Sequence, residues 1–253
     1  MIRIEGKVAT YGEIWFDEEV PNDQSVDVLI YRQRPKPVEN HASSTFLTLV
    51  TDLQADDNAL AAGFGNTNRY KIKRADTKDA LDAELVSEPL SCIDAFCEFY
   101  DAFARHKALE SSYRRGLTAA AHAGQLVLTM ARRDREVLIW HAYIRQGSTA
   151  ALLHSASHFR EKASIDRAML GRANRWLHWR DMLGLRKLGV TQYDWGGLFE
   201  DETIPEHAGV NRFKYDFGGR RKLTYNCTVP LTMKGRFFLS FQQALDRLPK
   251  RRR

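Results

Sequence analysis

In the first fifty residues apolar side chains alternate with polar ones or run together with β-branched and aromatic neighbours. That spacing predicts strands at residues 7–16, 26–34 and 45–50, broken by Pro21-Asn22-Asp23 and Pro35-Lys36-Pro37. Asp56-Asp57 then open a helix reaching Phe64, a basic helix follows over residues 67–78, and residues 81–87 read as a short strand. Beyond that the period becomes helical. Ile93, Phe96, Cys97, Tyr100 and Phe103 share one face of a helix for which Ser91 is the expected cap. A helix over residues 112–123 stops at Gly124. Three strands come next, at 125–131, 137–144 and 149–158, joined by Arg133-Asp134-Arg135 and Gln146-Gly147, which predicts an antiparallel meander. The longest helical pattern covers residues 168–188, with Leu170, Ala173, Leu177, Gly184 and Leu188 on one stripe and Gly189 as its stop. A strand at 190–195, a short helix near 210–217, a strand at 222–229 and a helix over 235–248 complete the chain.

Composition narrows the class. At 253 residues, 43% hydrophobic and 28% charged, the chain is expected to be globular, as one large domain or a core with an extension. No run of apolar residues is long enough to span a bilayer, and the N-terminus lacks a secretory pattern, so a cytoplasmic location is expected. Three cysteines (Cys92, Cys97 and Cys227) without CxxC or metal-type histidine spacing argue against a disulfide framework or a metal site. The net charge of +6 favours an anionic partner. It is concentrated at Arg69–Arg74, between Arg167 and Arg186, and at Lys250-Arg251-Arg252-Arg253, although a terminal run of this kind is commonly a solvated tail.

Two stretches carry candidate chemistry. The segment Ser164-Ile165-Asp166-Arg167-Ala168-Met169-Leu170-Gly171-Arg172-Ala173-Asn174 opens the long helix. A helix N-terminus offers free N–H groups to a pyrophosphate, Gly171 permits close approach, and Arg167 and Arg172 add cations; an ordinary cap with a packing glycine reads equally well. The second stretch places Tyr193-Asp194-Trp195-Gly196-Gly197 at the end of a strand. It is followed by Gly209-Val210-Asn211-Arg212-Phe213-Lys214-Tyr215-Asp216-Phe217-Gly218-Gly219, in which Phe213 and Phe217 share a face and belong to the core.

This pair of motifs, YDWGG followed by GVNRFKYDFGG, resembles the FemABX branch of the GNAT superfamily of N-acyltransferases. The likeness is strongest over residues 165–230 and weaker around Phe64–Ala75, and residues 1–55 match nothing. It implies an α/β, GNAT-type acyltransferase fold: a mixed, mostly antiparallel sheet flanked by helices, with an N-terminal extended region. The expected division is an extension at 1–80 and an acyltransferase core at 81–253.

The resemblance further implies an acyl donor lying between the third meander strand and the strand at 190–195. Acetyl-CoA or another acyl-CoA is the co-substrate, held by Arg167, Leu170, Gly171, Arg172, Ala173, Asn174 and Ser157, with no metal. Ala168 replaces the Gln or Arg that usually leads the family's pyrophosphate loop. A bulge within residues 154–158 would offer an N–H to the thioester carbonyl, and His154 and His158, four apart, would face one side, where either could relay a proton.

Asp194 is the first choice for proton acceptor or amine anchor, and it could equally pin the Gly196-Gly197 turn. Lys214 would stabilise negative charge, while Tyr193, Tyr215 and Tyr225 are candidate acids. The acceptor is a small-molecule or nucleotide-linked amine, such as an amino sugar, an amino acid or an envelope precursor, and homodimerisation is left open. The chain is shorter than the peptidoglycan-bridge ligases and lacks their helical arm, which places an aminoacyl-tRNA donor second. A non-catalytic module for RNA or an anionic glycan stands third.

Overall fold

A computed structural model describes residues 1–20, 25–157 and 167–246. The chain divides into two compact units, Met1–Phe46 with Leu223–Arg253, and Leu47–Lys222.

The N-terminal strand β1 (Ile2–Glu5) pairs antiparallel with β2 (Thr10–Trp15), which runs parallel to β3 (Val28–Arg34). The next strand, β4 (Ser43–Asp52), carries the chain into the second unit. There the order is α1 (Asp57–Ala62), α2 (Asn66–Lys78), β5 (Leu81–Leu85), α3 (Pro89–Lys107) and α4 (Arg114–His122). The meander β6 (Leu126–Arg133), β7 (Glu136–Gln146) and β8 (Thr149–Ser157) leads to α5 (Arg167–Lys187), β9 (Gln192–Gly197) and α6 (Pro205–Tyr215). The chain then returns through β10 (Arg220–Pro230) to α7 (Met233–Asp246).

In the first unit the strand order is β1-β2-β3-β10, with Ile14, Val26, Leu29, Tyr31, Cys227 and Val229 forming a small core. The start of α7 is fastened to Asp27. The Asp27 carbonyl accepts from Leu231 N–H (2.8 Å), and its carboxylate meets the Thr232 hydroxyl (2.8 Å) and Lys234 Nζ (3.1 Å).

In the second unit the order is β4-β9-β8-β7-β6-β5, antiparallel throughout except for the parallel pair β8–β9. Alternation along β7 serves two faces. Trp140 packs edge-on against Phe96 of α3, whereas His141 and Tyr143 point to Asp181 of α5. The larger core joins Leu49, Phe64, Ile72, Tyr143, Leu177 and Trp195. Residues 47–80 pack with the meander and α5 within the second unit. Asp76 and Asp79 of the α2 end bind Trp176 Nε1 (2.8 Å) and Arg172 (2.7 and 2.8 Å), fixing α2 along α5.

The predicted meander and its turns are present, with Asp134 and Gly147 at positive φ (57° and 55°). Three details differ. Strand β1 escaped notice because four residues are too few to establish a period. The helix expected to be capped by Ser91 begins at Pro89, whose fixed φ suits a first turn, and the Ser91 hydroxyl instead bonds Glu88 O (2.8 Å). The buried stripe of α5 runs through His178, Asp181, Met182 and Leu185, leaving Leu188 40% exposed, because polar residues hidden in the interior do not register in an apolar period. Of the cysteines, Cys97 and Cys227 are buried and Cys92 half-buried, all as free thiols, and burial raises the Cys97 pKa. No helix among the described residues is long and apolar enough to cross a membrane.

Candidate functional site

The β8–β9 pair is short. Register partners run Thr149↔Gln192, Ala150↔Tyr193 and Ala151↔Asp194, while β8 continues to Ser157 with β7 as its partner. Between Tyr143↔Leu152 and Ala142↔His154 the register slips, so Leu153 is an extra residue, a bulge. The expected bulge thus lies one residue before the segment 154–158. Among the described residues the β8–β9 pairing ends at Ala151↔Asp194, toward the C-terminal ends of two parallel strands, where sheets of this kind open a crevice. The Ser155 hydroxyl donates to Asn174 Oδ1 (3.3 Å), which sets the second turn of α5 beside β8.

On the β9 side stand Asp194 and Lys214. Asp194 is 2% exposed; its Oδ1 accepts the Gly196 N–H (2.8 Å) and lies 2.5 Å from the Thr48 hydroxyl, which also reaches Gly196 O (2.7 Å). These bonds pin the turn at Gly196-Gly197. Burial pushes the Asp194 pKa up to about 6 against those hydrogen bonds. Gly196 holds φ 71°, and a Cβ there would come 2.9 Å from Leu152 O. Lys214, on α6, donates to Gly197 O (2.6 Å), and burial draws its pKa down to about 8, opposed by the charge of Asp194.

Tyr193 does not reach the crevice. It is fully buried, its hydroxyl 2.8 Å from that of Tyr143 and 2.7 Å from His178 Nδ1. Tyr143 donates to Asp181 Oδ2 (2.5 Å), which also meets His141 Nδ1 (2.7 Å), and His141 Nε2 lies 2.8 Å from Asn174 Oδ1. Since the single Tyr143 proton goes to Asp181, its oxygen must accept from Tyr193, and Tyr193 from His178 Nδ1–H. Burial holds the His178 pKa well below the usual value, so the ring is neutral with Nε2 bare. His141, His178 and Asp181 offer ligand atoms within 4.8 Å of one another, a candidate metal group, in which His141 Nδ1, Asp181 Oδ2 and His178 Nδ1 are engaged in this network and His178 Nε2 is left bare.

The proposed donor residues divide. Leu170 and Ala173 are core. Arg172 is committed to Asp79 through a two-pronged ion pair and is 9% exposed, so its fork is turned from the helix start toward α2. Arg167 is exposed on the first turn, and among the described residues a Cβ at Gly171 would meet only Arg175 Nη1, at 3.8 Å. Asn174 joins the buried network, and Ser157 pairs with Ile139 on the meander. Tyr215 is half-buried against the core with Arg221 over its ring (5.9 Å). Tyr225 belongs to the first unit, opposite Arg34 of β3. His158, Ser164 and Asp166 lie outside the described residues. His154 is packed on Tyr100 (ring centroids 4.3 Å apart) and Phe96, and burial lowers its pKa to about 4. It faces α3, away from Asn174.

One cation emerges that the motifs did not single out. Arg175 donates from Nε to Asn68 Oδ1 (2.7 Å) and from Nη1 to Gly171 O (3.0 Å), with its guanidinium 4.7 Å over Phe213. Burial lowers its pKa and that of Lys71, and Asp216 opposes both shifts. Its spacing from Gly171, one helical turn, is the signal that could have found it.

No protein-family model matches the sequence, and no curated protein matches it. Among solved structures, FemX shares the fold with a TM-score of 0.61 at 15% identity, over 78% of this chain and 64% of FemX. The C-terminal domain of a putative lysylphosphatidylglycerol synthetase from Agrobacterium fabrum gives 0.52 at 13% identity, over 86% of this chain and 72% of that one. L-PGS from Bacillus licheniformis gives 0.50 at 8%, over 85% and 72%. The chain thus spans just under two thirds of FemX. At these identities the likeness is one of architecture: the chain has the fold seen in FemX.

Proposed function

We propose that this protein is an acyltransferase that moves an acyl group from an activated carrier to an amine, with the bond-making centre in the crevice where the β8–β9 pairing ends. The observation that carries this reading is that, among the described residues, the β8–β9 pairing ends at Ala151↔Asp194 and is followed by the bulge at Leu153, with Leu152 O close to Gly196 in the turn to which Lys214 is tethered. A strand edge at such a bulge presents N–H groups to a carbonyl that is becoming an oxyanion. Lys214, tethered to Gly197 O, supplies a cation beside the same turn. The amine attacks the acyl carbon and loses a proton, and the carrier leaves with the electron pair of the broken bond. Acyl-CoA, with acetyl-CoA as the simplest case, is the donor of first choice, and a small-molecule amine or an envelope-related precursor is the acceptor.

A second donor, aminoacyl-tRNA, is favoured by a separate observation. One face of α2 forms an open groove of about 490 Å³ lined by Tyr70, Lys73, Arg74, Thr77 and Lys78, cations beside an exposed aromatic ring. Titration calorimetry with acetyl-CoA, CoA and total tRNA separates the two. Saturable binding of acetyl-CoA with thiol release in the presence of amines supports the first reading. Binding of charged tRNA alone supports the second, and binding of neither removes both.

A further inference from the structure

The outer face of α7 has no counterpart in the acyl-transfer reading. Met233, Phe237 and Phe241 recur every four residues and are 76%, 75% and 55% exposed. They lie opposite the side that packs inward, where Gly235 sits against Asp27 O and Phe238 meets the Tyr11 ring edge-on (5.8 Å). A soluble surface helix normally shows polar residues on this side, so three large apolar side chains in a row mark a contact surface.

The surrounding charge identifies what it contacts. Residues 231–253 hold seven basic side chains and one acidic one, which is the whole formal excess of +6 carried by the chain. The other 230 residues balance. Arg236 and Lys234, the latter ion-paired with Asp27, flank the apolar stripe on either side at the helical angle, and Arg247 and Lys250–Arg253 follow the helix in sequence. Pairing this face with a second copy of itself would bring these like charges together. An apolar stripe bordered by cations instead suits a surface that is both oily and anionic.

We propose that α7 docks this protein on an anionic lipid bilayer, lying in the interface with Met233, Phe237 and Phe241 inserted among the acyl chains and Arg236 at the headgroups. The helix lies on the membrane and does not span it. The proposal is independent of the reaction catalysed.

The test is co-sedimentation of the full chain with vesicles of phosphatidylcholine alone and of phosphatidylcholine with about one-third phosphatidylserine. Binding is expected to the mixed vesicles only, to weaken on raising salt to about 1 M, where screening reaches about 3 Å, and to fall about 10-fold or more in the double variant F237S/F241S. Both side chains are exposed, and far-UV circular dichroism checks that the variant is folded. Three results would overturn the proposal: no sedimentation with anionic vesicles, binding that the double variant leaves unchanged, or a lipid-free dimer in ultracentrifugation that the double variant dissociates.

Discussion

The Tyr193 hydroxyl sits 2.7 Å from His178 Nδ1 and accepts its N–H hydrogen bond, so that Nε2 of this neutral, buried imidazole carries no hydrogen. Tyr193 is thereby a fully buried link that holds His178 in one tautomer. Tyr193→Phe strips partners from both His178 and Tyr143, and should cost about 1–3 kcal/mol in denaturant unfolding. Turnover that falls by more than the loss of folded protein accounts for would return Tyr193 to the chemistry.

Asp194 separates two roles by a single atom. In Asp194→Asn the carbonyl oxygen still accepts the Gly196 N–H, and no buried carboxylate ionises, so stability at pH 8 should hold or rise by about 1 kcal/mol. Asp194→Ala leaves the Gly196 N–H without its acceptor and should cost about 2 kcal/mol. Activity surviving in the Asn variant identifies a turn pin. Activity lost in the folded Asn variant identifies a proton acceptor.

Lys214 carries a pH signature. With its pKa near 8, the ammonium is present below that pH and lost above it. If the cation steadies the oxyanion, kcat falls as pH rises through about 8, and the limb disappears in Lys214→Ala together with turnover, while donor affinity changes little. Equal losses in kcat and donor affinity would make Lys214 a binding residue.

The α5 start distinguishes scaffold from ligand contact. Gly171→Ala fits without collision and should stabilise the helix by about 0.5–1 kcal/mol, and Gly171→Asp should abolish acyl-CoA binding in calorimetry by placing bulk and negative charge where phosphate approaches. Arg172→Ala, which strands Asp79, should cost about 3 kcal/mol of stability and leave donor affinity of the folded fraction unchanged.

Acid stability depends on His154. Its folded pKa, about 4, lies below the 6.5 of an unperturbed imidazole, so the unfolded chain takes up a proton first as pH falls. The stability is complete above about pH 6.5 and drains away between 6.5 and 4, with a ceiling on the order of 3 kcal/mol. Asp194, raised to about 6, works in the opposite sense, because its burial penalty is relieved as pH falls through 6. His154→Phe, keeping a ring against Tyr100 and Phe96, should flatten the acid limb of a pH-resolved unfolding series.

The meander, the long helix and the two glycine pairs were legible in the sequence because each leaves a local trace: alternation, a three-to-four period, or a dipeptide that can turn. The site was less so. Leu153 is a bulge only by virtue of the residue it faces on β7, and nothing in His154–His158 reveals a slip one position earlier. Arg172 looked like a phosphate ligand until Asp79, ninety-three positions away, claimed it. The network of His141, Tyr143, Asp181 and His178 joins β7 to α5, and no single window of sequence contains it. Arg175 was passed over for the opposite reason: it lies close by, but outside the motif.

Both glycine pairs turn out to be places where main chain meets main chain. A methyl group at Gly196 would press on Leu152 O at 2.9 Å, one at Gly218 on Gly63 O at 2.9 Å, and one at Gly219 on Val50 O at 2.8 Å. The signature that drew attention to this chain is therefore a joinery mark rather than a label of cargo. Two proteins can carry the same doublets and handle unrelated substrates, because these seams are set by close main-chain contacts.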